Sequence, residues 1–131
     1  MHPLLPEGGL GAASASEAVL SATAACTDWL SRLNALCIGP GLGRDEAALA
    51  VAEALLTAAL ERQLPCVLDG DGLWLVTRKP QLLSGQAAGR CILTPNVNEF
   101  SRLTSALGIH TGGADAESAL SALSTALGVR F

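Results

Sequence analysis

Apolar and polar positions along the chain switch between two periods, and the switches mark its elements. The clearest pattern runs from Asp45 to Arg62. There Leu49, Ala52, Leu56, Ala59 and Leu60 recur on one side of a 3.6-residue helix, with Glu46, Glu53, Thr57 and Glu61 on the other. Asp45 and Glu46 suit its positive N-terminal end, and Arg62 suits its C-terminal end. Short continuous apolar runs at 34–38, 65–69 and 91–93 read instead as strands, of the kind that parallel sheets cover on both faces. A short helix is expected from Leu73-Trp74-Leu75-Val76, ending before Pro80, with a second turn of helix at 80–84. Val97 to Leu107 reads as a further helix. Asp115 is placed to cap a last one, with Ala116, Ala119, Leu120, Leu123 and Leu127 as its apolar face. Residues 1–15, rich in proline, glycine and small side chains, are expected to be irregular. Residues 16–32 are Ala-rich and expected to be helical, capped by Ser14 or Ser16 and restarted at Thr27-Asp28. Gly112-Gly113 reads as a turn.

Strand, helix, strand, helix, strand, helix implies right-handed crossovers and one parallel α/β sheet. A chain of 131 residues makes a single domain on length. Each strand is followed by a glycine-rich or polar turn, so these turns gather at the carboxyl edge, where open α/β sheets bind ligands. The first is Gly39-Pro40-Gly41-Leu42-Gly43-Arg44-Asp45, which leaves the main chain bare of side chains at Gly39, Gly41 and Gly43. The second is Asp69-Gly70-Asp71-Gly72, and the third is Thr94-Pro95-Asn96. Asp69 and Asp71 suit a metal ion, a ligand hydroxyl or the capping of the next helix, with Asp71 as the cap. Asn96 and Glu99 suit a capping box as well as a polar ligand. Trp74 is expected to pack between helix and sheet rather than serve as a stacking platform. Neither His2 nor His110 has a partner in the pattern.

Composition narrows the function. Aromatic residues make up 3% of the chain, so its core is built from Ala, Leu and Val. The net charge of −4 is scattered and includes no basic block, which argues against nucleic-acid and membrane-surface binding. No apolar stretch reaches membrane-spanning length, Glu53 interrupting the longest, and the N-terminus lacks the basic start of a signal peptide. A cytoplasmic location is the expectation, or a mitochondrial one in longer forms. Cys26, Cys37, Cys66 and Cys91 have no CxxC spacing. They read as small hydrophobes, the last three in buried strands, rather than as a metal site. A P-loop is excluded, because GxxxxGK[ST] is absent. The glycine turn also departs from GxGxxG, with Arg44 at the third glycine's place. A Rossmann-like dinucleotide module stays open as an alternative, because Asp69 ends the next strand where a ribose-binding acid would lie.

Three motifs in order carry a resemblance: Gly39-Pro40-Gly41-Leu42-Gly43-Arg44-Asp45, Asp69-Gly70-Asp71-Gly72-Leu73-Trp74-Leu75, and Leu93 to Leu103 with the run Asn96-Val97-Asn98-Glu99-Phe100-Ser101-Arg102. Together they resemble the ATP-dependent (S)-NAD(P)H-hydrate dehydratases, over residues 28–110. The resemblance implies an incomplete ribokinase-like α/β fold, a parallel sheet with helices on both faces. It implies ATP and Mg²⁺ as cofactors, and NADHX or NADPHX as a small-molecule dinucleotide substrate. The substrate would be bound by Gly41, Asn96, Val97, Asn98, Glu99, Phe100, Ser101 and Arg102, with Asp69 and Asp71 as polar or metal support. The chain departs from the family in having Gly70 between its two aspartates. It also has no counterpart of the Gly-x-Gly-Asp helix start that carries the family's catalytic aspartate. The expectation is a part-domain that holds the hydrate-binding half of the enzyme and is inactive alone. A catalytically dead nucleotide-binding module or a truncated product without function is the alternative.

Overall fold

The computed structural model describes residues 12–83, 89–110 and 115–131. Its elements run α1 (Ala12–Leu30), β1 (Leu36–Ile38), α2 (Glu46–Glu61), β2 (Cys66–Leu68), α3 (Asp71–Arg78), a 3-10 turn (Pro80–Leu83), β3 (Cys91–Leu93), α4 (Val97–Ala106) and α5 (Ala116–Leu127). The three strands are parallel in the order β1-β2-β3, and Leu36, Cys66 and Cys91 are in register.

Helices α2, α4 and α5 start where the sequence supplies a side-chain partner for a first-turn N–H group. The Asp45 side chain accepts from Ala48 N at 3.2 Å and opens α2. Asp115 accepts from Ser118 N at 2.7 Å and opens α5, which Gly128 closes in the left-handed region. That hydrogen bond holds the Asp115 carboxyl below its ordinary 3.8. Asn96 and Glu99 form a complete capping box on α4: Asn96 N donates to Glu99 at 2.8 Å, and Glu99 N donates to Asn96 Oδ1 at 2.9 Å.

The strands alternate between two faces. Ile38, Cys66, Leu68, Cys91 and Leu93 point into the core with Leu49, Leu56 and Leu60 of α2 and Leu73 and Val76 of α3. Cys37, Val67 and Ile92 sit in register on the opposite face. The expectation that Cys37 lies in a buried strand is therefore corrected. Cys37 is exposed and Ile92 is 43% exposed on that face. Cys66 and Cys91 are buried as expected. The Cys66 thiol is pushed well above its ordinary range by hydrogen bonding to Cys91 and by burial.

The α1 region differs from the sequence reading. It is one helix from Ala12 to Leu30, without a restart at Thr27-Asp28, so Ser14 and Ser16 lie inside it rather than at a cap. Residues 12–15 are thus helical rather than irregular, and 1–11 lie outside the described residues. So do Ser84 and the Gly112-Gly113 turn. The helix packs along α2, which explains why α2 buries Ala48 and Val51 in addition to the expected face. Beyond α5 the chain adds a pairing that was not foreseen. Arg130 bridges Ile92, with Arg130 N to Cys91 O at 2.9 Å and Leu93 N to Arg130 O at 2.8 Å.

Candidate functional site

The three strand exits meet at the carboxyl edge of the sheet. Gly39 and Gly72 make this possible by bringing two main chains into direct contact. A Cβ on Gly39 would overlap the Asp69 carbonyl oxygen and stand 2.6 Å from Gly72 N. A Cβ on Gly72 would overlap the Ile38 carbonyl oxygen. Asp69 N donates to Ile38 O at 3.1 Å, and Gly72 N donates to Asp69 O at 2.9 Å, so the first two turns are pinned together. Gly41 differs. It has φ +71, and nothing lies within 4 Å of where its Cβ would stand. Gly39 and Gly72 are therefore packing glycines, whereas Gly41 presents bare main chain to open space.

That space is a cavity of about 100 Å³, lined by Gly39, Gly41, Arg44, Asp71, Trp74, Glu99 and Arg102 among others. Its walls are the glycine turn, the start of α3 and the first turns of α4. Asp71 dominates one wall, and not as a cap. The residue before α3 is Gly70, which makes no side-chain capping bond. Instead Asp71 reaches across to the first turn, accepting from Gly43 N at 2.9 Å and from Arg44 Nε at 3.2 Å. Its carboxylate is thereby committed to the chain. Among the described residues no group of three His, Cys, Asp or Glu side chains could hold a metal ion. Of the two aspartates expected as polar or metal support, Asp71 lines the cavity with its carboxylate bonded to Gly43 and Arg44, and Asp69 bonds through its main chain.

Arg44, so held, lies over the Trp74 ring at 4.1 Å from its centroid. Trp74 still packs against the core with its other side, so the expected packing role and a platform role coincide in one ring. The Arg44–Asp71–Trp74 cluster was missed in the sequence. Asp71 and Trp74 share one helix face at i, i+3, but nothing local announces a pairing 27 residues back to Arg44.

The other expected site residues divide between two places. Glu99 and Arg102 line the cavity. Asn96, Val97 and Phe100 line a separate apolar groove of about 700 Å³ with Leu93, Pro95, Leu120 and Phe131. Asn98 and Ser101 are exposed on α4, and Asp69 takes part through its main chain rather than by lining either space. The three turns gather at one edge as expected, and the residues that line one cavity there include Gly41, Asp71, Glu99 and Arg102. Glu99 and Arg102, three residues apart on α4, face the same way, while the Asn96 side chain is taken up in the capping box with Glu99.

A parallel α/β sheet with a glycine turn and a cavity at its carboxyl edge defines the class, and the comparisons define the family. The sequence model of the NAD(P)H-hydrate dehydratases matches residues 10–129, and the chain belongs to this family. Its α/β architecture is that of an incomplete ribokinase-like fold. The chain is 50% identical over 109 residues to an Aspergillus fumigatus protein named ATP-dependent (S)-NAD(P)H-hydrate dehydratase, covering 83% of this chain and 29% of that one. Against the Bos taurus protein of the same name it is 48% identical over 101 residues, 76% of this chain and 30% of that one. Against the Homo sapiens protein it is 49% identical over 79 residues, 60% of this chain and 22% of that one. The chain thus spans less than a third of the length of these relatives. No helix among the described residues is long and apolar enough to cross a membrane.

Proposed function

We propose that this chain carries the hydrate-binding part of an ATP-dependent (S)-NAD(P)H-hydrate dehydratase, which returns NADHX or NADPHX to NADH or NADPH. It forms a single part-domain and works in the cytoplasm. The observation that carries the reading is the open Gly41 main chain facing Glu99 and Arg102 across one cavity. Three motifs far apart in sequence converge there, and the relatives bear the name of this activity. In this reading Gly41 lets the ligand approach the backbone, and Glu99 and Arg102 supply polar contacts from α4. Asn96, Val97 and Phe100, with Asn98 and Ser101 beside them, hold α4 in register and border the apolar groove. The cavity is far below the 300–1,000 Å³ that encloses a whole small ligand, so it takes one group of the dinucleotide.

ATP supplies the phosphoryl group in this reading, and Mg²⁺ accompanies it. Asp71 serves here to hold Gly43 and Arg44 rather than as the base of the reaction. Phosphoryl transfer also needs a group that orients the attacking hydroxyl. The family's aspartate for that role has no counterpart among these residues.

Two measurements on purified residues 1–131 test this. Calorimetric titration with NADHX is expected to show binding, and absence of binding refutes the reading. Recovery of NADH absorbance from NADHX with ATP and Mg²⁺ is expected to stay at background. Turnover above background would show that the catalytic acid lies within this chain.

A further inference from the structure

Arg44 stands in an unusual position for a surface arginine. A guanidinium has five N–H donors in a planar fork. Here Nε is taken by Asp71 Oδ1, and the plane lies over Trp74. The N–H groups on the two Nη atoms have no acceptor among the described residues. The side chain lines the cavity while held at both its Nε and its face, so little rotamer freedom remains to be lost on binding. Arg102 lines the same cavity from α4 and likewise has no acceptor among the described residues.

Two carboxylates also border the space, and the chain engages Asp71 through both oxygens and Glu99 through Oε2. Asp71 accepts from Gly43 N and Arg44 Nε, and Glu99 accepts from Asn96 N. Donor capacity is what the cavity has to spare: two guanidiniums beside a stretch of glycine main chain. That combination suits an oxygen-rich anion, since bidentate guanidinium contacts are the strong form of phosphate recognition.

We propose that Arg44 is a phosphate-binding residue, its guanidinium set in place by Asp71 and Trp74. The cavity takes one phosphate group of the dinucleotide between Arg44 and Arg102. The identity of the ligand as a dinucleotide rests on the functional reading above. The recognition of a phosphate does not.

Trp74 provides the local reporter. With Trp29 replaced by Phe, Trp74 is the one remaining tryptophan of the chain. Inorganic pyrophosphate is titrated into this protein while Trp74 emission is followed, and NADHX binding is measured by calorimetry. Pyrophosphate is expected to change the emission saturably. Arg44→Gln is expected to weaken both ligands at least tenfold, and Arg44→Lys is expected to weaken them less, since it keeps the charge and loses the fork. Asp71→Asn retains an acceptor for Gly43 N–H but loses the ion pair. It is expected to weaken binding severalfold with the melting temperature little changed, which a purely structural role would not do. A wild type that gives no Trp74 response to pyrophosphate overturns the proposal. So does an Arg44→Gln variant that binds both ligands as wild type does; if NADHX binding persists there, the functional reading stands without this inference. Pyrophosphate binding that depends on Arg44, with no NADHX binding, supports the inference and removes the functional reading.

Discussion

Alanine at Gly39 and alanine at Gly41 are chemically the same change two residues apart, yet the structure assigns them different consequences. Both residues have positive φ, +130 and +71, where a Cβ costs about 1–2 kcal/mol. At Gly41 that is the whole structural cost, because nothing lies within 4 Å of the new methyl group. At Gly39 the methyl group overlaps the Asp69 carbonyl oxygen, so main chain rather than a flexible side chain has to move. Overpacking of this kind costs about 1–3 kcal/mol. Parting the two turns also strains the Asp69 N to Ile38 O hydrogen bond, a contribution of about 1 kcal/mol. Gly39→Ala is therefore expected to lose about 3–6 kcal/mol in all, against about 1–2 for Gly41→Ala. Domains are stable by about 5–15 kcal/mol, so the first variant approaches unfolding and the second does not. Urea melts followed by circular dichroism measure both. With slopes of about 1–3 kcal/mol per molar, the midpoints should separate by at least about 0.7 M. Binding should rank otherwise. Gly41→Ala keeps its fold yet loses NADHX affinity, because its methyl group stands where the ligand approaches. Equal midpoints for the two variants would refute the assignment of Gly39 to packing. Undiminished binding by Gly41→Ala would refute the assignment of Gly41 to the ligand.

Other consequences can be measured as directly. Cys37 is exposed while Cys66 and Cys91 are buried, so a thiol reagent under native conditions should label Cys37 well before either of the others, as read by peptide mass spectrometry. Equal labelling of all three would contradict the register of the sheet. Asn96→Ala removes one half of the α4 capping box and should cost about 1 kcal/mol in a urea melt; no loss would show that the box contributes nothing. The depressed Asp115 carboxyl contributes stability that is present above its ordinary value of 3.8 and lost as pH falls through the lowered one. Asp115→Ala should therefore flatten the acid limb of stability against pH. An unchanged acid limb would show that the bond to Ser118 does not form.

The periodic elements were legible because each is set by local chemistry. Asp45, Asn96 and Asp115 are caps whose partners lie three residues on, and a window of a few residues contains the whole interaction. The short parallel strands showed themselves as apolar runs between turn residues, and their parallel direction followed from the helical crossovers. What the sequence did not disclose is non-local. Cys37 and Cys66 both sit in apolar runs, yet one is exposed and the other is buried. The difference lies in which face of the sheet each presents and in what covers that face. Arg130 beside Ile92 was invisible for a similar reason, since a single bridge has no period to detect.

The candidate site follows the same division. Its location at the carboxyl edge was legible, because parallel topology sends every strand exit to that edge. Its membership was not, and Asp71 shows why. An acid at the first position of a helix after a glycine ordinarily reads as a favourable N-terminal charge, complete within its own element. Here the same carboxylate instead closes a bridge to Gly43 and Arg44, and the reading changes from helix stability to ligand geometry. The bridge exists because Gly39 and Gly72 let the two turns approach closely. A chain with alanine at either glycine would keep Arg44, Asp71, Trp74, Glu99 and Arg102 in its sequence and lose the close approach that assembles them. Gly39 and Gly72 are therefore required by close main-chain contact, whereas Gly41, two residues on in the same turn, faces open space.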